Sequence, residues 1–268
     1  MKIIYKIIKI NPSIISQPID SEGIMKTIQE YIETKQGEFA QCPLFNHIRK
    51  RLPLQQTLGF APYIAFWVMT FQDVLRLNEI LTKDPKLHEF AHHHRQEDSG
   101  HESWFLEDLE VMFNAEELTI GWLFRPSCSA IRDGSYKIMA ELIKAESDQQ
   151  RIVLLLALES TSQIFSKEIT SYIYDMGYAD KLKYFSKTHF NAENEHAMYE
   201  EEGEQQLHAI KFTPQEREKA IALVDYIYAI SQSITDAALK LVEKEDLFKD
   251  LPNINAGPAN ATEKVECA

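Results

Sequence analysis

Apolar residues recur along most of this chain at intervals of three and four, the period of amphipathic helices. The first ten residues, closed by Asn11-Pro12, read as a short strand or an extended arm, so 1–19 form an N-terminal arm. A helix follows Asp20 or Ser21, and a short one covers roughly Pro43 to Arg51. Pro53 starts a new segment, and Pro62 opens a long apolar helix to about Thr82. Asp84-Pro85 is a helix start, and the helix behind it carries His92 through to about Asn114. The stretch from Ala115 to Ser129 contains Pro126 and reads as a broken helix or loop.

The helical pattern returns from Tyr136 to about Met176, with a bend marked at Asp148 and Gly177 as C-cap. Residues 179–209 form a further helix. Thr213-Pro214-Gln215-Glu216 is an N-cap with Pro at the first helical position, and the last helix runs to about Glu245. Pro252, Gly257, Pro258 and a polar end make 247–268 a disordered tail. The expectation is one all-α domain over 20–246, a bundle of about seven or eight helices.

Composition narrows the class. Of 268 residues 44% are hydrophobic, enough for a sizeable core, and only 9 Gly and 10 Pro interrupt it. The net charge of −13, with no block of Lys and Arg, argues against nucleic-acid binding and against anionic membranes. Cys42, Cys128 and Cys267 are odd in number and show no CxxC spacing, which disfavours a disulfide framework or zinc–thiolate site and suits a reducing cytoplasm. The apolar start Met1 to Ile8 is divided by lysines and is a poor signal peptide. The run Ile64 to Phe71 is too short to span a bilayer before Gln72 and Asp73 arrive.

Candidate chemistry gathers in three places. In His189-Phe190-Asn191-Ala192-Glu193-Asn194-Glu195-His196, at about 100° per residue, Glu193 lies about 40° and His196 about 20° from His189 around the axis. Two imidazoles and a carboxylate thus share a face, as a metal half-site needs, although Glu195, Glu200, Glu201 and Glu202 fit a solvated face equally well. The second cluster is His92-His93-His94-Arg95-Gln96-Glu97-Asp98-Ser99-Gly100-His101. On one continuous helix, His94 lies about 20° and Glu97 about 40° from His101, with Asp98 about 60° to the other side. Trp104, Phe105 and Leu109 on that flank turn His101 inward, whereas His92 and His93 sit on other faces.

The third is Glu159, a lone carboxylate ending the aliphatic run Val153 to Leu158, costly to bury unless paired or metal-bound. Glu141 and Glu146, beside Lys137, Lys144, Ser147 and Asp148, suit a solvated face. The candidate ligands are therefore Glu97, His101, Glu159, His189, Glu193 and His196, with His94 and Asp98 as alternatives at the first half-site. Mixed imidazole and carboxylate donors without thiolate favour iron or manganese over structural zinc, and six donors suit two ions.

The segment His94-x₂-Glu97-Asp98-x-Gly100-His101-x₂-Trp104 resembles the His-x₂-Glu-Glu-x-Gly-His-x₂-Trp stretch of iron-containing redox enzymes with a haem-oxygenase-like fold, and the CADD-like group in particular. In that family a Glu from a middle helix and a His-x₃-Asp/Glu-x₂-His helix complete a di-iron site, and Glu159, His189, Glu193 and His196 match in order, within a resemblance covering about residues 40 to 240. The resemblance implies a haem-oxygenase-like helical bundle and a non-haem di-iron centre. It implies two Fe, with Mn as an alternative metal, O₂ as co-substrate and no organic cofactor. It further implies a small-molecule substrate, leaving a homodimer and an external electron donor open. Chemistries in the family run from fatty-acid decarboxylation and amino-acid fragmentation to N-oxygenation and self-sacrifice of a protein tyrosine. The chain departs from the family in His94, where some members carry a ligand carboxylate, and in Glu193, where Asp is common.

Around such a site, Tyr63 to Phe71 would line an apolar pocket or simply pack the core, the commoner use of such a helix. Arg95, Arg125 or Lys167 could anchor a substrate carboxylate, and Tyr63, Tyr136 or Tyr172 could be a self-modified tyrosine. The rival class is a metal-free helical binding or interaction protein of the same fold, with His101, Glu159 and His196 paired to one another. Haem with an axial His leaves the carboxylates unexplained. Vitamin-processing relatives of the fold use a nucleophilic cysteine, for which Cys42 and Cys128 lack a supporting His or acid nearby in sequence.

Overall fold

A computed structural model describes residues 24–113, 119–194, 207 and 210–243, with side chains for 27–113, 119–191, 207 and 210–243. Regular structure among them is entirely helical. The helices are α1 (Ile24–Phe39), α2 (Pro43–Ile48), α3 (Leu54–Leu58), α4 (Ala65–Leu81), α5 (Pro85–Glu97), α6 (His101–Phe113), α7 (Ile120–Leu123), α8 (Ser129–Lys144), α9 (Asp148–Asp175), α10 (Lys187–Asn194) and α11 (Pro214–Val242), with short 3₁₀ turns at Ala61–Ile64 and Pro126–Cys128. The proposed arm at 1–19 and tail at 247–268 lie outside the described residues.

Local chemistry sets the helix ends. Asp84 caps α5 by accepting the backbone N–H groups of Lys86 and Leu87 at 3.0 and 3.1 Å, with Pro85 at the first position. Thr213 and Glu216 form a reciprocal capping box on α11, with Thr213 Oγ1 accepting from Glu216 N at 3.2 Å and Glu216 Oε2 accepting from Thr213 N at 2.7 Å. Gly177 closes α9 at φ 75°, a conformation open to a residue without Cβ. The bend expected at Asp148 is a full break, with Ser147 capping α9 by accepting from Gln150 N. Asp148 itself accepts the N–H groups of Lys83 and Asp84 at 2.8 and 2.7 Å, tying the start of α9 to the α4–α5 turn.

α9 is the axis of the bundle. From Ile152 to Thr161 every residue is buried, as expected of a helix packed on all sides rather than along one stripe. It packs against α1, α2, α5, α10 and α11, while α8 bridges α11 to α4, which in turn carries α5 and α6. One continuous cluster of buried apolar side chains runs from Ile28 in α1 to Leu241 in α11. The stretch Leu54–Leu81 is long and apolar enough by composition to cross a membrane, but 61% of its most apolar window is buried within the protein, where it packs as a core element.

Two expected helices are shorter or divided. The helix drawn from Pro85 to about Asn114 is two, α5 and α6, broken at Asp98-Ser99-Gly100 with Gly100 at φ 97°. The helix drawn over 179–209 begins only at Lys187, after turns at 176–186, and residues 195–206, 208 and 209 lie outside the described residues.

Candidate metal centre

The break after α5 decides which donors meet. Asp98 still closes α5, its N–H reaching His94 O at 3.1 Å, and the positive φ of Gly100 then redirects the chain into α6. His101 becomes the first residue of α6 and turns back onto Asp98, with Nδ1 2.9 Å from Asp98 Oδ1. Gln72 of α4 donates to Asp98 Oδ2 at 2.7 Å and to Asp98 O at 3.0 Å. Both carboxylate oxygens are thus engaged, and Asp98 and His101 are buried.

Angles drawn on one continuous helix do not survive this turn. Glu97, the first choice for the early carboxylate, is exposed at the end of α5, and Asp98 takes its place beside His101. His94 does not sit over His101 as a heptad neighbour; it faces α9, where its Nε2 lies 2.9 Å from Glu159 Oε1. Both members of this pair are almost fully buried, at 2% and 1% side-chain exposure. A buried carboxylate needs such a partner, because stranding it costs several kcal/mol. Of the flanking histidines, His93 is exposed, and His92 is half-buried against Glu79 at 2.8 Å.

His189 enters from α10. The turn before that helix is held by Asp108 of α6, whose carboxylate accepts the N–H groups of Lys183 and Phe185 at 2.8 and 2.9 Å. Burial raises the Asp108 pKa, and the N–H groups of Lys183, Phe185 and Tyr184 only partly offset the rise. This anchorage places Tyr184 flat against His189, with ring centroids 4.3 Å apart and planes at 20°. His189 meets His101 edge-on at 4.7 Å, and Trp104 stacks on the other ring at 4.6 Å from His101.

Potential ligand atoms of Asp98, His101 and His189 all lie within 4.8 Å of one another, and all three residues are buried. Two imidazoles and a carboxylate without thiolate are donors suited to iron or manganese. An imidazole whose other nitrogen bonds a carboxylate, as His101 does with Asp98, is fixed in tautomer and orientation. The Glu193 side chain and all of His196 lie outside the described residues. Tyr184, Asp108 and Gln72 were not legible as site residues, since nothing in their local sequence marks the turn that brings them in.

Asp98, His101 and His189 line a cavity of about 80 Å³. Ile64, Trp67, Val68 and Phe71 line it, so the apolar stretch around α4 does face a cavity beside the histidines. The lining also includes Thr161, Ser162 and Ser166 of α9 and Ser231 and Thr235 of α11. None of the suggested carboxylate anchors belongs to the lining formed by the described residues: Arg95 pairs with Glu79, Arg125 lies over the Trp122 ring, and Lys167 is exposed. The same holds for Tyr63, buried against Trp122, for exposed Tyr136, and for Tyr172, which donates to Leu52 O; among the described residues Tyr184 is the tyrosine in the lining. Cys42 and Cys128 are buried free thiols whose pKa values burial pushes upward, the opposite of an activated nucleophile.

No family model and no curated protein matches this chain.

Proposed function

We propose that this chain is a non-haem di-iron, O₂-dependent oxidase or oxygenase of a small molecule, built on a haem-oxygenase-like bundle. The observation that carries it is the buried convergence of Asp98, His101 and His189 within 4.8 Å in the wall of a largely apolar cavity. The buried Glu159–His94 pair, where α5 meets α9, belongs neither to that cluster nor to the described cavity lining, and offers a further carboxylate and imidazole. In this reading His101, His189 and Glu159 hold metal together with Glu193 and His196, and Asp98 orients the His101 ring. Iron supplies O₂ activation when bound, and the chain supplies geometry and exclusion of water. Tyr184 and Trp104 fix the two imidazoles by stacking, and the α4 side chains keep the chamber apolar. An external electron donor and a cytoplasmic setting belong to the same proposal.

The test is anaerobic Fe(II) loading followed by O₂, recording iron per chain and the visible spectrum. The expected result is close to two irons per chain, lost in His101→Ala, His189→Ala and His196→Ala. Less than one iron per chain, unaffected by these variants, contradicts the proposal.

A second reading, a metal-free helical binding protein, draws on the two His–carboxylate pairs at 2.9 Å. It differs from the expected pairing, because Glu159 meets His94 and His101 meets Asp98. It predicts a melting temperature insensitive to iron and to chelators, whereas a di-iron protein is stabilised by the metal it binds.

A further inference from the structure

Four aromatic rings follow one another in contact through the candidate site. Trp104 lies one turn after His101 on α6, so the two side chains share a face, and their rings stack with centroids 4.6 Å apart and planes at 28°. His101 meets His189 edge-on at 4.7 Å, and His189 lies against Tyr184 at 4.3 Å and 20°. These are separations of touching rings, across which an electron passes readily, because electronic coupling falls exponentially with the gap. The two ends of the series differ. Tyr184 lines the cavity, whereas Trp104 is outside its described lining and only half-buried. Of the other tryptophans, Trp67 lines the cavity and Trp122 is buried. Indole and phenol can each lose and regain one electron, while the imidazoles between them serve as coupling.

We propose that Trp104 is a one-electron relay between solvent and the site, working through the series Trp104, His101, His189 and Tyr184 and bypassing the cavity. In the step, Trp104 gives one electron to an oxidising equivalent left at the site and its indole N–H proton to solvent. Loss of the proton leaves a neutral radical, so no cation is set against the charge of the metal ions. A small one-electron donor of the ascorbate class then returns the electron, and solvent returns the proton. An equivalent that finds no substrate is drained to the surface in this way. A radical formed first at Trp104 takes an electron from Tyr184 instead; the phenolic proton leaves and the indole nitrogen is reprotonated. The inference rests on the proposed function for the source of oxidising equivalents, iron with O₂, and the contact series stands without it.

The first test needs no metal. Azide radicals, which oxidise indoles selectively, are generated by pulse radiolysis in the iron-free full chain, and the indolyl and phenoxyl absorption bands are followed in time. The expected result is a first-order phase, independent of protein concentration, in which indolyl absorption decays as phenoxyl absorption grows. Trp104→Phe and Tyr184→Phe each keep a ring in place and are each expected to cut its amplitude at least tenfold, whereas Trp67→Phe leaves it. Absence of the phase in wild type, or its survival in Trp104→Phe or Tyr184→Phe, overturns the proposal. The second test freeze-quenches the Fe(II)-loaded chain after mixing with O₂ and no substrate. Electron paramagnetic resonance is expected to show an indolyl radical, altered by ring-deuterated tryptophan, lost in Trp104→Phe and at least tenfold shorter-lived with ascorbate. An iron-loaded chain without that radical overturns the role of Trp104 at the site. A chain that takes up no iron is a failure of the di-iron reading, which the metal-free result keeps distinct.

Discussion

Asp98 and His101, three residues apart but on opposite sides of a helix break, share a buried hydrogen bond of 2.9 Å. The other Asp98 oxygen is held by Gln72 at 2.7 Å, so the carboxylate is itself fixed before it fixes the imidazole. Removing such an orienting carboxylate typically costs about 10–100-fold in metal affinity. Asp98→Asn, which keeps one acceptor oxygen, is expected to weaken Fe(II) binding by about tenfold, and Asp98→Ala by more. Competitive chelator titration measures this, and an unchanged affinity in Asp98→Ala contradicts the role.

Asp108 acts one step further out, through the turn before α10. Asp108→Ala strands the N–H groups of Lys183 and Phe185 and is expected to cost about 2 kcal/mol or more, read from the urea midpoint. The pH dependence has a defined sign. Burial raises the folded-state pKa of Asp108 above its ordinary value of 3.8, so the folded protein holds the proton more tightly than the unfolded chain. The resulting stabilisation is complete below that ordinary value and is lost as pH rises through the raised one. The stability of wild type relative to Asp108→Asn should therefore fall with rising pH across that window. A flat or rising difference contradicts the assignment.

Gly134 is the close approach between α8 and α11. A Cβ there would sit 2.7 Å from Ile234 Cδ1 and 2.8 Å from Ile234 Cγ1. Gly134→Ala gains about 1 kcal/mol in helix propensity but forces Ile234, a lining residue, to move, at about 1–3 kcal/mol. Net destabilisation in chemical denaturation is expected, relieved in part by adding Ile234→Val, which removes Cδ1 but keeps a γ-carbon, and more fully by Ile234→Ala at this contact. A Gly134→Ala protein as stable as wild type would mean that α8 and α11 give way at no cost.

Cys42 and Cys128 are expected to be inert. In a Cys267→Ala chain, neither thiol should react with an aromatic disulfide reagent at pH 7 on the time scale of a free thiol, and both should react in denaturant. Fast labelling under native conditions contradicts their burial.

What the sequence made legible follows from the range of each signal. The Asp84-Pro85 start and the Thr213 to Glu216 box are readable because a cap acts within four residues. Glu159 stands out as a polar residue in an aliphatic run, but its partner His94 lies 65 residues away, and no periodicity encodes that meeting. The exchange of Glu97 for Asp98 has a local cause: Gly100 interrupts the helix on which the angles were drawn, and a single left-handed residue resets every bearing beyond it. Tyr184 was hidden for a third reason, since its approach to His189 depends on Asp108, a residue of another helix.

The central claim is that His101 and His189 belong to one metal site. Crystals loaded anaerobically with Fe(II) and measured at the iron absorption edge test it most directly. The account predicts two anomalous peaks a few ångströms apart, one of them within bonding distance of nitrogens from both His101 and His189. Absence of any peak at this position, with the Asp98–His101 and Glu159–His94 hydrogen bonds intact, would contradict it.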